Sequence, residues 1–241
     1  MNMKKYLKKI SPLLILVITL FLSTCDSPLS DEELDDPSLI APDITLEKNI
    51  NYETRSVIHI ATAHLYDKNF NLVRIEDGGV RVGDTNLDLK QNILGGYYYE
   101  TTDIAVNNDV TYHVVITMSN GDTYDAYVTT QSAELYEFVL PEEHDHGLDM
   151  DIQWAAASSD SMQIVWDYNT DEESGTGIIE IPSQFWQSGE YTIPASELSD
   201  LAGYDVNFTI QSIKLGQISE SFRTGRIIRS VFSITQQSSI Q

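Results

Sequence analysis

Two stretches gather side chains that could hold a metal ion. Glu142-Glu143-His144-Asp145-His146, followed by Asp149 and Asp151, places two imidazoles and several carboxylates close together. Neutral imidazole suits zinc or copper, and carboxylate oxygen suits calcium. On a strand His144 and His146 would share one face, but no third ligand follows at a fixed spacing. The second stretch, Asp167-x-Asn169-x-Asp171 followed by Glu172 and Glu173, offers oxygen ligands at alternate positions. A dedicated calcium loop needs a glycine at its sixth position and a glutamate at its last. Glu172 and Ile178 stand at those places, so this is no such loop. A looser Ca2+ site, with His144, His146, Asp167, Asn169 and Asp171 as candidate ligands, is one reading. Two solvated loops of an acidic protein, the usual fate of polar connections, are the other.

The aromatics offer binding chemistry instead. Tyr97, Tyr98 and Tyr99 are consecutive, so on a strand at least one faces solvent. Trp186 sits beside Phe185 between turn residues. These four could stack on sugar rings or anchor a protein partner, or cap the edge of a core. Catalysis has little to work with. The Gly-x-Ser-x-Gly pattern and a glycine-rich phosphate loop are both absent. His59, His64 and His113 lie inside strand patterns, where a histidine satisfied by its neighbours is commoner than a base. Adjacent Glu142 and Glu143 fix no geometry. The sequence reads as a non-enzyme.

Cys25 is the one cysteine of the 241 residues, so no intramolecular disulfide forms. It closes a segment with Lys4, Lys5, Lys8 and Lys9 at its start and an apolar run from Pro12 to Leu22. That is the pattern of a secretory signal. The run is shorter than the ~20 residues a membrane span needs. Leu22-Ser23-Thr24-Cys25 resembles the lipobox of bacterial lipoproteins. The resemblance implies cleavage after residue 24 and acylation of the Cys25 thiol, with the acyl chains as the membrane anchor. An ordinary signal peptide with an incidental cysteine is the alternative. Ser30-Asp31-Glu32-Glu33 resembles the acidic export signal of some Bacteroidetes lipoproteins, while Asp26 resembles the inner-membrane retention residue of enterobacterial ones. The outer membrane is the favoured site, with the periplasmic or surface face left open.

Loss of the leader takes four of the 14 Lys+Arg and none of the 37 Asp+Glu, leaving the remainder at −27. No Lys or Arg occurs between Lys90 and Lys214. Nucleic acid is excluded as a partner, because it requires a basic footprint.

The elements that must position these side chains are strands. Val57–Tyr66, Thr111–Met118, Thr123–Val128, Leu148–Trp154 and Ile227–Ile234 are β-branched, aromatic or alternating. Asn120-Gly121 marks a hairpin, and Asp77-Gly78-Gly79 a turn between Leu72–Ile75 and Val80–Val82. Ala195–Leu201 suits one or two helical turns, with Ser196 as a cap. Asp67–Asn71, Gly95-Gly96-Tyr97-Tyr98 and Asn120–Tyr124 together resemble the Ig-like or transthyretin-like modules of surface lipoproteins. Gly189–Pro194 resembles the GxYTIP segment of small bacterial sandwich domains, and the second half has fibronectin-like character.

The expected fold is all-β, with two consecutive β-sandwich (Ig-like) domains. Signal peptide spans 1–24, lipidated Cys25 and a flexible acidic tether 25–45, the first domain 46–140, a linker 141–147 and the second domain 148–241. One continuous two-sheet sandwich is the alternative. The expected function is a lipid-anchored cell-envelope protein acting as a binding or structural module. A glycan-binding nutrient-capture accessory, or a calcium-stabilised envelope module, are the alternatives. The partners are the membrane, through the lipid, and a protein or glycan ligand.

Overall fold

The structure is a computed structural model that describes residues 34–241 except 133, 134, 136, 156 and 157. Cys25, the leader and the acidic run to Glu33 lie outside the described residues.

The first half contributes β1 (Ala41–Asn51), β2 (Val57–Tyr66), β3 (Gly79–Val82), β4 (Thr85–Asn86), β5 (Asp88–Gln91), β6 (Tyr97–Thr101), β7 (Thr111–Thr117) and β8 (Thr123–Thr129). β9 (Phe138–Val139), β10 (Glu143–His144), β11 (Met150–Trp154), β12 (Ser161–Asn169), β13 (Ser174–Glu180) and β14 (Glu190–Ile193) follow. β15 (Asp205–Leu215), β16 (Gln217–Ile218) and β17 (Ile227–Ile240) complete the chain. Among the described residues helix is limited to short turns such as Ala195–Leu198. That turn starts at Pro194, not at Ser196, and its Ala195 N–H donates to Asp149 Oδ1 at 2.9 Å.

One long sheet runs β13-β12-β15-β17-β1-β2-β6-β5, with β10 extending it along β17. β1 and β17 are parallel, Asp43 lying opposite Ile227 and Asn51 opposite Thr235. Two smaller sheets, β16-β8-β7-β3-β4 and β14-β11-β9, accompany it. Side chains alternate along a strand, and β17 shows the consequence. Its even-numbered residues Ile228 and Phe232 enter one core, with Leu46, Ala61, Val114 and Ile116. Ile234 and Ile240, on the same face, enter a second core with Phe138, Met150, Phe208 and Ile210. Both small sheets therefore cover the same face of the long one.

The two expected sandwich units are present as two cores, but they share a sheet and its central strand. The strand expected over Leu72–Ile75 reduces to a bridge between Leu72 and Tyr66. Residues 141–147 contain β10, paired to the end of β17 through Glu143 and His144. From Leu34 on, the stretch expected as tether up to residue 45 belongs to the first unit. Leu34, Ile40 and Ile44 are fully buried in the first core. Asp36 caps the following turn by accepting from the Ser38 N–H at 2.9 Å.

Between the cores lies a buried polar joint. Gln131 is 0% exposed. Its Nε2 donates to the carbonyls of Ser212 at 2.5 Å and Ser230 at 3.3 Å. Its Oε1 accepts from Ser230 Oγ at 2.7 Å. The segment leaving β8 is thus tied to β15 and β17 at once.

Candidate binding surfaces

The three consecutive tyrosines do three different things. Tyr99 is core: it is buried, and its hydroxyl accepts from the Ile75 N–H at 2.8 Å. It is no ligand-binding residue, because the strand's alternation turns it inward. Tyr97 takes the Arg74 guanidinium over its ring at 5.0 Å. Tyr98 points to the opposite face of the long sheet and stacks on His64 at 5.6 Å, which stacks on Tyr66 at 6.1 Å. The row turns its ring faces toward one another, so the flat platform that a sugar ring prefers is largely taken up. Burial holds the His64 imidazole below its ordinary value, with nearby Asp43 opposing and Arg229 adding to the effect. Around the row the same face carries polar cross-strand pairs: Arg229 to Asp43 at 3.0 Å, Thr209 to Thr235 at 2.8 Å and Gln163 to Gln211 at 2.8 Å.

Trp186 is partly buried against the second core, and its Nε1 donates to the Ile181 carbonyl at 2.7 Å. A further aromatic series, not singled out in the sequence, runs Trp166–Tyr168–Tyr204, with Tyr168 and Tyr204 at 4.1 Å. Trp166 and Tyr168 lie opposite Gly177 and Gly175 on β13 and cover the spaces a Cβ would need. The signal was legible, since Trp-x-Tyr on one strand and Gly-x-Gly on the next share a period of two. The Tyr204 hydroxyl donates to Glu173, and that bond, with burial, pushes its pKa up to about 12.

The candidate metal ligands are occupied elsewhere or kept apart. His144 stands on β10 and its Nε2 donates to the Leu148 carbonyl at 3.0 Å. His146 falls in the following turn, not on the same strand face, and its Nδ1 donates to the Gln241 carbonyl at 2.7 Å. Asp167 accepts from Asn207 Nδ2 at 3.1 Å. Asn169 closes the β12–β13 pairing opposite Ser174, and Asp171 is exposed in a turn that Thr170 Oγ1 organises by accepting from the Glu173 N–H. Among the described residues no group of three or more His, Cys, Asp or Glu is placed to hold a metal. His59 and His113 are also engaged, with the Val106 N–H at 3.1 Å and the Asp125 carboxylate at 2.6 Å.

One buried carboxylate carries a structural task. Asp67 is 2% exposed and accepts from the backbone N–H groups of Asn69 (2.7 Å) and Asn71 (2.9 Å) and from Asn71 Nδ2 (2.9 Å). Burial pushes the carboxyl up. The bonds from Asn71 and Asn69, with Arg223 nearby, outweigh it and hold the carboxyl below its ordinary value. A carboxylate with a depressed folded pKa stabilises fully above its unfolded pKa, ~3.9, and loses that contribution as pH falls through the folded pKa. Asp67→Asn should therefore cost about 2 kcal/mol at neutral pH, and the difference from wild type should narrow in acid. Paired urea titrations at pH 7 and pH 3 measure this. An equal gap at both pH values would rule out the charged cap.

At the same end of the first unit, two loop tips expose large apolar side chains: Phe70 (80%), Ile93 (101%) and Leu94 (91%). Phe70 adopts the left-handed backbone region at φ 64°. Asn92 Oδ1 holds the second tip by accepting from the Leu94 and Gly96 N–H groups at 3.0 and 2.9 Å.

The strand pairing and the two cores define an all-β protein of the sandwich class. No family model matches the sequence, and no curated protein is similar to it. Among solved structures, the FN1–FN3 domains of chicken CNTN1 share 8% identity over 84% of this chain and 66% of theirs, with a TM-score of 0.22. The Yersinia pseudotuberculosis adhesin InvE shares 13% over 82% of this chain and 60% of its own, with a TM-score of 0.24. Dpr11 IG1 bound to DIP-gamma IG+IG2 shares 10% over 83% and 99%, at 0.17. The chain thus spans less than two thirds of the first two.

Proposed function

We propose that this is a lipid-anchored cell-envelope protein whose folded part serves, without catalysis, as a rigid binding or structural module at the outer membrane. The observation that carries this is the spacing from Cys25 to Leu34. A signal-like segment ends at the only cysteine, and nine positions later the chain is fully buried in a core. A lipid at Cys25 would hold the body on a short leash. The shared strand β17 supports rigidity, because neither unit can turn without breaking the pairing of the other. Cys25→Ser should move the protein from the membrane fraction to the soluble fraction. Unchanged co-sedimentation with membranes would refute the anchor.

A further inference from the structure

We propose that the end of the first unit from which the chain leads back to Cys25 docks on the lipid surface, with Phe70, Ile93 and Leu94 inserted at the interface. The proposal rests on the lipid anchor proposed above.

Three observations converge on this end. The first is where the chain enters. Ala41 pairs with Tyr66 at the start of β1, and Arg223 ties the neighbourhood together. Its backbone N–H donates to the Ile40 carbonyl at 2.9 Å, and its Nη1 donates to the Asp67 carbonyl at 2.9 Å. The Asp67–Asn71 tip therefore stands beside the point where the chain comes in from its N-terminus. Leu34 joins the β7–β8 turn nearby, exchanging bonds with Ser119.

The second observation is that the two apolar tips are neighbours. The Asp67 N–H donates to the Asn71 carbonyl and closes one tip, and the Asn92 N–H donates to the Gly96 carbonyl and closes the other. Gly96 faces Leu72 so closely that a Cβ there would sit 2.9 Å from Leu72 Cδ1. Phe70 thus projects from one of two adjacent loops and Ile93 with Leu94 from the other. Isolated exposed apolar residues are ordinary on a protein surface. Three large ones at adjoining loop tips, each at least 80% exposed, are a small apolar crown.

The third is reach. An extended chain spans at most ~3.6 Å per residue, so the stretch from Cys25 to Leu34 reaches only about 30 Å. A lipid at Cys25 keeps this end, and not the far turn around Glu53, at the level of the headgroups. Charge does not supply the attraction, because the carboxylates of Asp77, Asp122 and Glu220 accompany Lys68, Arg223 and Arg226 here. Apolar insertion to a depth of roughly 5–10 Å does, as for other interfacial segments.

The test uses the full chain on vesicles of phosphatidylethanolamine and phosphatidylglycerol. Cys25 is the only cysteine, so in chain made without acylation its free thiol couples to a maleimide lipid and supplies the anchor. Ile93→Trp places a reporter at the tip, and Glu53→Trp places one at the opposite end. Each is read against the unsubstituted chain, whose three tryptophans lie in the second half. Lipids brominated along the acyl chain should quench most of the added emission of Ile93→Trp and leave that of Glu53→Trp unchanged. Adding Phe70→Ser and Leu94→Ser to the Ile93→Trp chain should remove the quenching. Equal quenching at both ends, or none at the tip, overturns the docking. The synthetic anchor keeps that outcome separate from a failure of Cys25 acylation in cells.

Discussion

Phe232→Ala should destabilise both cores together, by about 3–5 kcal/mol, the usual cost of removing a buried aromatic side chain. Phe232 is 2% exposed and belongs to the first core, and the Lys48 ammonium lies 5.4 Å from its ring centroid. Lys48 is itself 8% exposed, so loss of the ring also removes a favourable neighbour from a sheltered charge. The diagnostic feature is the probe. Trp154, Trp166 and Trp186 all belong to or pack on the second core, so tryptophan fluorescence reports that unit alone. Far-UV circular dichroism reports every strand. With β17 common to both units, the two probes should give one coincident urea transition in wild type. In Phe232→Ala both should shift to lower urea by the same amount. A fluorescence midpoint that stays put while the dichroism midpoint moves would show two independent units and refute the coupling.

Gln131→Ala should cost about 2–4 kcal/mol and loosen that coupling. The side chain makes three hydrogen bonds in a fully buried position. Truncation leaves the Ser230 hydroxyl and two carbonyls without this partner, and each such orphan costs ~1–3 kcal/mol. A carbonyl oxygen has two lone pairs, so loss of one donor need not strip it of every partner, which keeps the estimate below the full sum. Gln131→Leu restores volume but no hydrogen bonds, so it should be no better. The expected signature is a broadened or split urea transition, with fluorescence and dichroism separating. A change below ~1 kcal/mol with coincident probes would show the joint to be dispensable.

Strands were legible where alternation and turn chemistry coincide. Met150, Ile152 and Trp154 are buried on one face of β11, and Asn120-Gly121 turns β7 into β8. The parallel pairing of β1 with β17 was not legible. It joins Asp43 to Ile227, and no local pattern records a partner so far along the chain. For the same reason two sandwich units were expected as consecutive beads when they are two covers on one sheet. The expected tether takes in Leu34 and Ile40 because Leu34 stands alone among carboxylates and Leu39-Ile40-Ala41, set between two prolines, is too short to show a period. The burial of Leu34 and Ile40 comes entirely from tertiary contacts. Among the candidate sites, alternation foretold that the tyrosine run would divide between faces, and it does. It could not say that Tyr98 would meet His64, a cross-strand neighbour. His144 and His146 were grouped by sequence proximity, yet the peptide carbonyls of Leu148 and Gln241 claim a ring nitrogen of each.

The pairing of β1 with β17 also sets an order of events. A nascent chain emerges from its N-terminus at roughly 5–20 residues per second, and non-local pairings are slow to form. Among the described residues β1 is the first strand to appear, yet its parallel neighbour is the last. Until Ile227–Ile240 arrives, one edge of β1 stays open and Ile228 and Phe232 are missing from the first core. The first unit is therefore closed only when Ile227–Ile240 has been made and delivered. The strand made early thus waits for one made about 180 residues later.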